Sequence, residues 1–382
     1  MNEGKAYMIY YDNAASTVHM GSDPQYPVYD FFSQANPSSP HMIGIESERT
    51  LNNTRKNFSK ILNCPPDEVI FTSGGTESNN LAIIGFALAN RRKDITFYAE
   101  PWAHPSVIEP MKYIQAQGLG KAIFTPLEKM HILPAAGEFI FISMSQVCHE
   151  TGHINVYSDT AADIKKTFPN VCFHLDGAQG FCKHKTNLTN IDLYAFSAHK
   201  CHGGQGVGGL VVDKKTKISP LMFGGGQEKG LRPGTENVKG LYDFARIAEI
   251  MDGGMNKMAE LVTSIYAIIL SIKDELPDIY VNKRDESHGH SPYILNMSFM
   301  GINGETLVHA LSERGVYASM GAACNSRKKI KPPLELMGFE HERAKSAVRF
   351  SFSFMNSEKE AYEAKAIIID TVKALRQMTR RW

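Results

Sequence analysis

The chain has 382 residues, enough for two domains or for one large domain with a smaller companion. Its 41 lysines and arginines against 40 aspartates and glutamates leave almost no net charge, which argues against the basic excess of a nucleic-acid binder. A hydrophobic fraction of 43% excludes wholesale disorder, and no run reaches the ~18 uncharged apolar residues of a membrane span.

The first residues include Glu3 and lead into no long apolar stretch, so no export signal is expected. The six cysteines, Cys64, Cys148, Cys172, Cys182, Cys201 and Cys324, contain no CxxC pair. The expected setting is therefore cytoplasmic, with reduced thiols and no structural zinc.

Residues 10–17 read as a short strand running into a turn of small residues. Asn36-Pro37-Ser38-Ser39 has turn chemistry, and residues 44–62 carry polar side chains at helical spacing. Residues 68–72 form a compact apolar strand. Ser73-Gly74-Gly75-Thr76-Glu77 follows, then an apolar run from Leu81, giving strand, glycine turn and helix start. The N–H groups of a helix start bind phosphate well. This turn is neither a Walker loop nor a dinucleotide fingerprint, so a single phosphate group is the natural fit.

A further strand ends at Glu100, with His104 just beyond it. Residues 139–144, 171–175, 192–196 and 209–212 are more short apolar strands. Their alternation with helical segments predicts a largely parallel sheet covered on both faces, with ligands beyond the carboxyl ends of its strands. Thr76, His104, His149, Asp176 and Lys200 all fall there. After Gly253-Gly254 the pattern changes to a helix over 256–276, a strand over 293–299, a helix over 304–314 and a strand over 316–319. This predicts a smaller α/β unit completed by the N-terminal strand. Ser357-Glu358-Lys359-Glu360 reads as a capping box opening the last helix.

The chemistry-bearing residues converge on one cofactor class. Lys200, in Ser197-Ala198-His199-Lys200 ahead of a glycine-rich run, is a primary amine able to form a Schiff base. A buried Asp176 can pair with a protonated pyridine nitrogen, and the helix start after Gly75 can hold a phosphate. These are what a protein contributes to pyridoxal phosphate chemistry. Cys324 lies among small residues ahead of the basic Arg327-Lys328-Lys329, and a positive field favours the nucleophilic thiolate; a lone cysteine is otherwise a small buried hydrophobe. Arg349, in a strand-like run, offers a bidentate clamp for a carboxylate.

Residues 68–83, Asp176-Gly177-Ala178-Gln179 and Phe196-Ser197-Ala198-His199-Lys200 resemble the class V, fold-type I pyridoxal-phosphate enzymes. Within these the chain resembles the cysteine desulfurases of the NifS/IscS type, in the same order from Asp12-Asn13-Ala14-Ala15 to Arg349-Phe350-Ser351. The resemblance implies an α/β fold-type I transferase with a large domain over 14–255, built on a mostly parallel seven-stranded sheet flanked by helices. A smaller α/β domain of 1–13 and 256–382 would carry the catalytic cysteine loop.

By the same resemblance Lys200 is the Schiff-base lysine, His104 stacks on the pyridine ring as a candidate for proton transfer, and Asp176 pairs with the ring nitrogen. Gln179 meets the phenolic oxygen, while Gly75, Thr76, Ser197 and His199 hold the phosphate. Thr235, in a further motif over 224–235, reaches the neighbouring subunit's phosphate in the family, which implies a homodimer. Cys324 would take sulfur from L-cysteine as a persulfide and leave L-alanine, with Arg349 and Asn36 on the substrate carboxylate. The resemblance leaves the sulfur acceptor open between an iron–sulfur scaffold, a thiolation enzyme and neither; no nucleic acid or membrane is implied.

Two departures stand out. His149 replaces an asparagine that normally contacts cofactor and substrate, and Asn325 replaces the usual Ser or Thr. His149 keeps open a selenocysteine lyase or another class V lyase or aminotransferase. A non-catalytic binding module is the alternative from a different class.

Overall fold

The structure, a computed structural model, describes residues 8–22, 35–126, 139–284, 289–320 and 331–379. The chain divides into a larger unit of residues 18–147 and 155–253 and a smaller unit of residues 1–17, 148–154 and 254–382. The short segment around His149 therefore belongs to the smaller unit, whereas the sequence places it in the larger.

Strand β1 (Ile9–Tyr10) is part of the smaller unit. The larger unit is built on β2 (Val69–Thr72), β3 (Ile95–Ala99), β4 (Lys121–Phe124), β5 (Phe139–Ser145), β6 (Val171–Asp176), β7 (Leu193–Ser197) and β8 (Gly208–Val212). They form one seven-stranded sheet in the order β2-β8-β7-β6-β5-β3-β4. Only β8 runs against its neighbours; every other pairing is parallel. This is the mostly parallel seven-stranded sheet that the sequence predicts. Strands β2, β3, β6, β7 and β8 are buried along their whole length, as unbroken apolar runs in a sheet covered on both faces must be.

The helices of this unit begin with α1 (Met42–Leu62), α2 (Gly75–Ala89), α3 (Pro105–Ala116) and α4 (Tyr157–Thr167). Phe58 of α1 meets the rings of Phe71, Phe181, Phe196 and Phe244 at centroid distances of 5.8, 6.1, 5.4 and 4.8 Å. Such pairs each add about 0.5–1.5 kcal/mol beyond their burial. Phe196 directly precedes Ser197, so this cluster fixes the end of β7. On the other side, Gly74 adopts φ +151°, a region open to glycine alone. A Cβ at Gly208 would lie 2.6 Å from the Gly74 Cα, so the β8 backbone passes directly against the turn that opens α2.

The sequence predicts a helix beginning at 256, but α5 (Val238–Leu270) runs straight through both glycines, where the chain passes from the larger unit to the smaller. Glycine inside a helix costs about 1 kcal/mol relative to alanine. Burial of Phe244, Ile247, Ala248 and Met251 before the pair, and of Val262, Ile265 and Ile269 after it, outweighs that cost. One window of this helix, at mean hydropathy 1.3, is long and apolar enough to match a membrane span by composition. Only 28% of that window is buried, and Phe244, Ile247, Ala248, Met251, Val262, Ile265 and Ile269 of the helix are core residues.

The smaller unit contains β9 (Ile279–Val281), β10 (Ile294–Phe299), β11 (Val316–Tyr317) and β12 (Ala347–Ser351). The antiparallel order is β12-β10-β9, and β1 pairs with β11 in parallel, Ile9 opposite Val316. The N-terminal strand thus completes this unit, as the sequence predicts. The capping box also forms ahead of the helix Glu358–Thr379. The Ser357 N–H donates to Glu360 Oε2 at 2.9 Å, and the Glu360 N–H donates to Ser357 Oγ at 3.2 Å.

Candidate active site

Because β2, β3, β6 and β7 point the same way, their carboxyl ends share one edge of the larger unit. Asp176 ends β6, Ser197 ends β7, and the glycine turn follows β2. His104 caps α3 after β3, and Lys200 closes a single 3-10 turn, Ala198–Lys200, after β7. The Ser197 hydroxyl is buried and meets no hydrogen-bonding group among the described residues. A Cβ on Gly75 would lie 3.5 Å from the Ser197 Cβ, so the start of α2 sits against this orphaned hydroxyl. The first N–H groups of any helix lack intrahelical partners. Together these donors fit a phosphate, and Thr76 is exposed in the same first turn.

An acid in that turn, Glu77, is kept from opposing an anion. Its carboxylate accepts from the Ser73 N–H at 2.8 Å and from Arg232 Nε at 3.0 Å. Burial pushes the Glu77 carboxyl up, but the Ser73 hydrogen bonds and the Arg232 guanidinium outweigh it and hold it below the usual range. Arg232 belongs to the same loop as Thr235, which is exposed.

Asp176 is 7% exposed, and both of its oxygens are held. The Ala178 N–H donates to Oδ1 at 3.0 Å and the Asn79 amide nitrogen donates to Oδ2 at 3.0 Å. A carboxylate so fixed suits a protonated ring nitrogen. Gln179 Oε1 accepts from Lys183 Nζ at 3.3 Å, and that lysine is buried. Burial, then the charges of Lys200 and Lys183 and the His104 ring, push His199 down to about 4. The His199 ring is therefore neutral at pH 7 and offers an anion an N–H rather than a full charge. A recess of about 560 Å³ lined by Thr76, Asn80, His104 and Ser106, among others, opens beside these groups.

In the smaller unit Arg349 lies on β12 and is 6% exposed. Its Nη1 donates to the His149 carbonyl oxygen at 2.8 Å, while Nη2 lies 3.5 Å from Asp12 Oδ1 and 3.4 Å from Ser319 Oγ. Glu150 Oε1 is 3.9 Å from Nη1 and 3.5 Å from His149 Nε2. Buried Arg349 Nε meets no acceptor among the described residues. The guanidinium is thus anchored along one side with donor capacity left over, as a carboxylate clamp requires. Ser319 pairs with Arg349 through both backbone groups just before the segment of Cys324. Cys324 itself lies outside the described residues. Asn36 is exposed, and its Oδ1 accepts from the Ser38 N–H at 2.9 Å, an Asx turn.

Burial, with Glu68 and Asp67 nearby, pushes the Cys64 thiol up to about 12. Burial likewise pushes Cys172 and Cys182 well above the usual thiol range. None of these three is poised as a nucleophile. Reading the sequence passed over Asn79, Ser106, Lys183, Asp12 and Glu150. A signal existed for Asn79, a polar residue ahead of the apolar run from Leu81.

Residues 9–363 match the family described as aminotransferase class-V. The chain is 32% identical to a protein named cysteine desulfurase IscS from Rickettsia typhi, over 91% of this chain and 86% of that protein. It is 33% identical to a NifS/IcsS protein homolog from Lactobacillus delbrueckii subsp. bulgaricus, over 93% of this chain and 95% of that one. A solved structure described as a NifS-like protein superposes with a TM-score of 0.85 at 29% identity, covering 96% of this chain and all of its own.

Proposed function

Because the chain belongs to the aminotransferase class-V family, we propose that it is a pyridoxal-phosphate-dependent cysteine desulfurase, converting L-cysteine to L-alanine. One observation carries the reading. The unpartnered Ser197 hydroxyl, the glycine-opened start of α2, the doubly held Asp176 and Lys200 all lie at one strand edge. They do so in a chain that matches relatives named cysteine desulfurase over nearly all of its length.

Pyridoxal phosphate, when bound, supplies a carbonyl carbon for the amine and a ring that stores an electron pair. Ser197, Thr76, His199 and the α2 backbone from Gly75 would hold its phosphate, Asp176 its ring nitrogen and Gln179 its phenolic oxygen. Lys200 would supply the amine that anchors the group and would afterwards take the substrate α-proton, returning it to the α-carbon before alanine leaves. Arg349 binds the L-cysteine carboxylate, and His149 and Asn36 complete the substrate's polar contacts. The Cys324 thiolate attacks the substrate sulfur. An S–S bond forms on Cys324, the substrate C–S bond breaks with its electrons going to carbon, and that carbon takes a proton to give alanine. Cysteine plus thiol thus yields alanine plus persulfide.

The reading extends to a homodimer in which Thr235 serves the neighbouring subunit, to a cytoplasmic setting and to a sulfur-acceptor protein. The test is alanine release from L-cysteine by the purified protein, with the absorbance spectrum followed in the same cuvette. A visible imine band that Lys200→Ala abolishes, with one alanine formed per sulfur transferred, is the expected result. A yellow protein that forms no alanine overturns desulfuration and leaves the cofactor; a colourless protein that takes up no cofactor overturns both.

A further inference from the structure

The imidazole of His104 is the N-cap of α3. Pro105 follows it and has no N–H to cap, and the Ser106 N–H donates to His104 Nδ1 at 3.1 Å. Ordinarily a Ser, Thr, Asp or Asn oxygen takes this place. The Ser106 hydroxyl lies 2.7 Å from the same nitrogen. Asn79, 1% exposed on α2, donates to Ser106 Oγ at 2.8 Å and to Asp176 Oδ2 at 3.0 Å, occupying both hydrogens of its amide nitrogen. Its Oδ1 is buried without a partner among the described residues. The reversed amide would set that oxygen against the Asp176 carboxylate, so the orientation follows from the charge.

Direction is now fixed along the whole chain of bonds. Asp176 accepts from Asn79, Asn79 donates to Ser106, and because His104 Nδ1 accepts from the Ser106 N–H, the Ser106 hydroxyl facing the same nitrogen can only donate to it. A backbone N–H can only donate, so Nδ1 must present its lone pair and the ring proton must sit on Nε2. We propose that Asn79 and Ser106 are positioning residues that hold His104 in the Nε2–H tautomer, so that His104 serves the reaction as a hydrogen-bond donor and not as its base. The second half of this proposal rests on the desulfurase reading; the tautomer does not. With Nδ1 engaged by the helix cap and Nε2 carrying hydrogen, the neutral ring keeps no lone pair for an incoming proton. Proton abstraction is then left to Lys200.

The test uses full-length protein carrying ¹⁵N-histidine, with pyridoxal phosphate removed and then restored, read by side-chain ¹H–¹⁵N correlation. The His104→Gln spectrum identifies the His104 signals. The expected result is the Nε2–H tautomer in both states, with the Nδ1 signal displaced in Asn79→Ala and Ser106→Ala and returned in Ser106→Thr, which keeps the hydroxyl. An Nδ1–H tautomer in the unaltered protein overturns the assignment. In turnover, a donor role predicts that His104→Gln, which keeps an N–H, holds kcat within about tenfold while His104→Ala loses about 100-fold or more. A glutamine variant no better than alanine identifies a base and overturns the donor role. If no alanine forms at all, the desulfurase reading fails, and the tautomer spectrum still decides the placement of Asn79 and Ser106.

Discussion

Arg349 and His149, far apart in sequence, are joined by a guanidinium N–H donated to a main-chain carbonyl at 2.8 Å. The side chain of His149 faces Glu150, so the residue departs from the family at its ring while its backbone still anchors the arginine.

Replacing that arginine separates its two jobs. Arg349→Lys keeps a positive charge between Asp12 and Glu150 but loses the planar fork, so KM for L-cysteine should rise by about tenfold or more with the fold intact. Arg349→Leu removes the guanidinium beside the buried Glu150 carboxylate and its bond to the His149 carbonyl, and should lower stability as well as KM-dependent activity. Steady-state alanine formation and denaturant melts read the two effects. An unchanged KM in the lysine variant removes Arg349 from the substrate site.

Ser197→Ala should act with opposite signs on the empty and the loaded protein. Removing a buried hydroxyl that has no partner among the described residues should stabilise the cofactor-free protein by up to about 1 kcal/mol. The lost donor to a charged phosphate should weaken pyridoxal phosphate binding by about tenfold or more. Melting curves with and without cofactor check both. A destabilised empty protein would show that the hydroxyl supports the fold rather than a ligand.

Acid should weaken the larger unit through its buried histidines. Burial pushes His174, His199 and His202 each down to about 4. Between the ordinary histidine value and about 4 the unfolded chain binds protons that the folded one refuses, so stability is full above that window and falls with pH across it. For the fully buried His174 and His202 the loss is on the order of 3 kcal/mol each. Urea unfolding from pH 7 to 4 measures it, and His174→Gln should flatten part of the slope.

Ser357→Ala removes one half of the reciprocal cap on the helix Glu358–Thr379 and should cost about 1 kcal/mol. The same substitution with Glu360→Ala should cost less than the sum of the two alone, because the two bonds support each other.

The site was legible where chemistry and chain order coincide. Asp176, Ser197 and Lys200 announce themselves because each sits at or just past the end of an apolar strand, and strand ends in a parallel sheet share an edge. What escaped depends on contacts between distant segments. Asn79 and Asp176 are 97 positions apart, and nothing in either neighbourhood pairs them. Lys183 looks like any surface lysine until the fold buries it beside Gln179. Gly253-Gly254 marks the passage from the larger unit to the smaller, but the helix does not start there, because local propensity counts for little in a helix with buried residues on both sides of the pair.

The pairing of β2 with β8, Thr72 beside Gly208, bears on how the protein is made. A growing chain leaves the ribosome from its N-terminal end. The turn that opens α2 is therefore synthesised long before the strand that packs against it, and it waits without its neighbour until Gly208 emerges. The smaller unit waits longer still, since the Ser351 N–H must find the carbonyl of Tyr11. Such distant pairings slow folding. Nascent chains cut short before Gly208 should thus expose an unpaired apolar β2 strand, the state in which a chaperone would meet them.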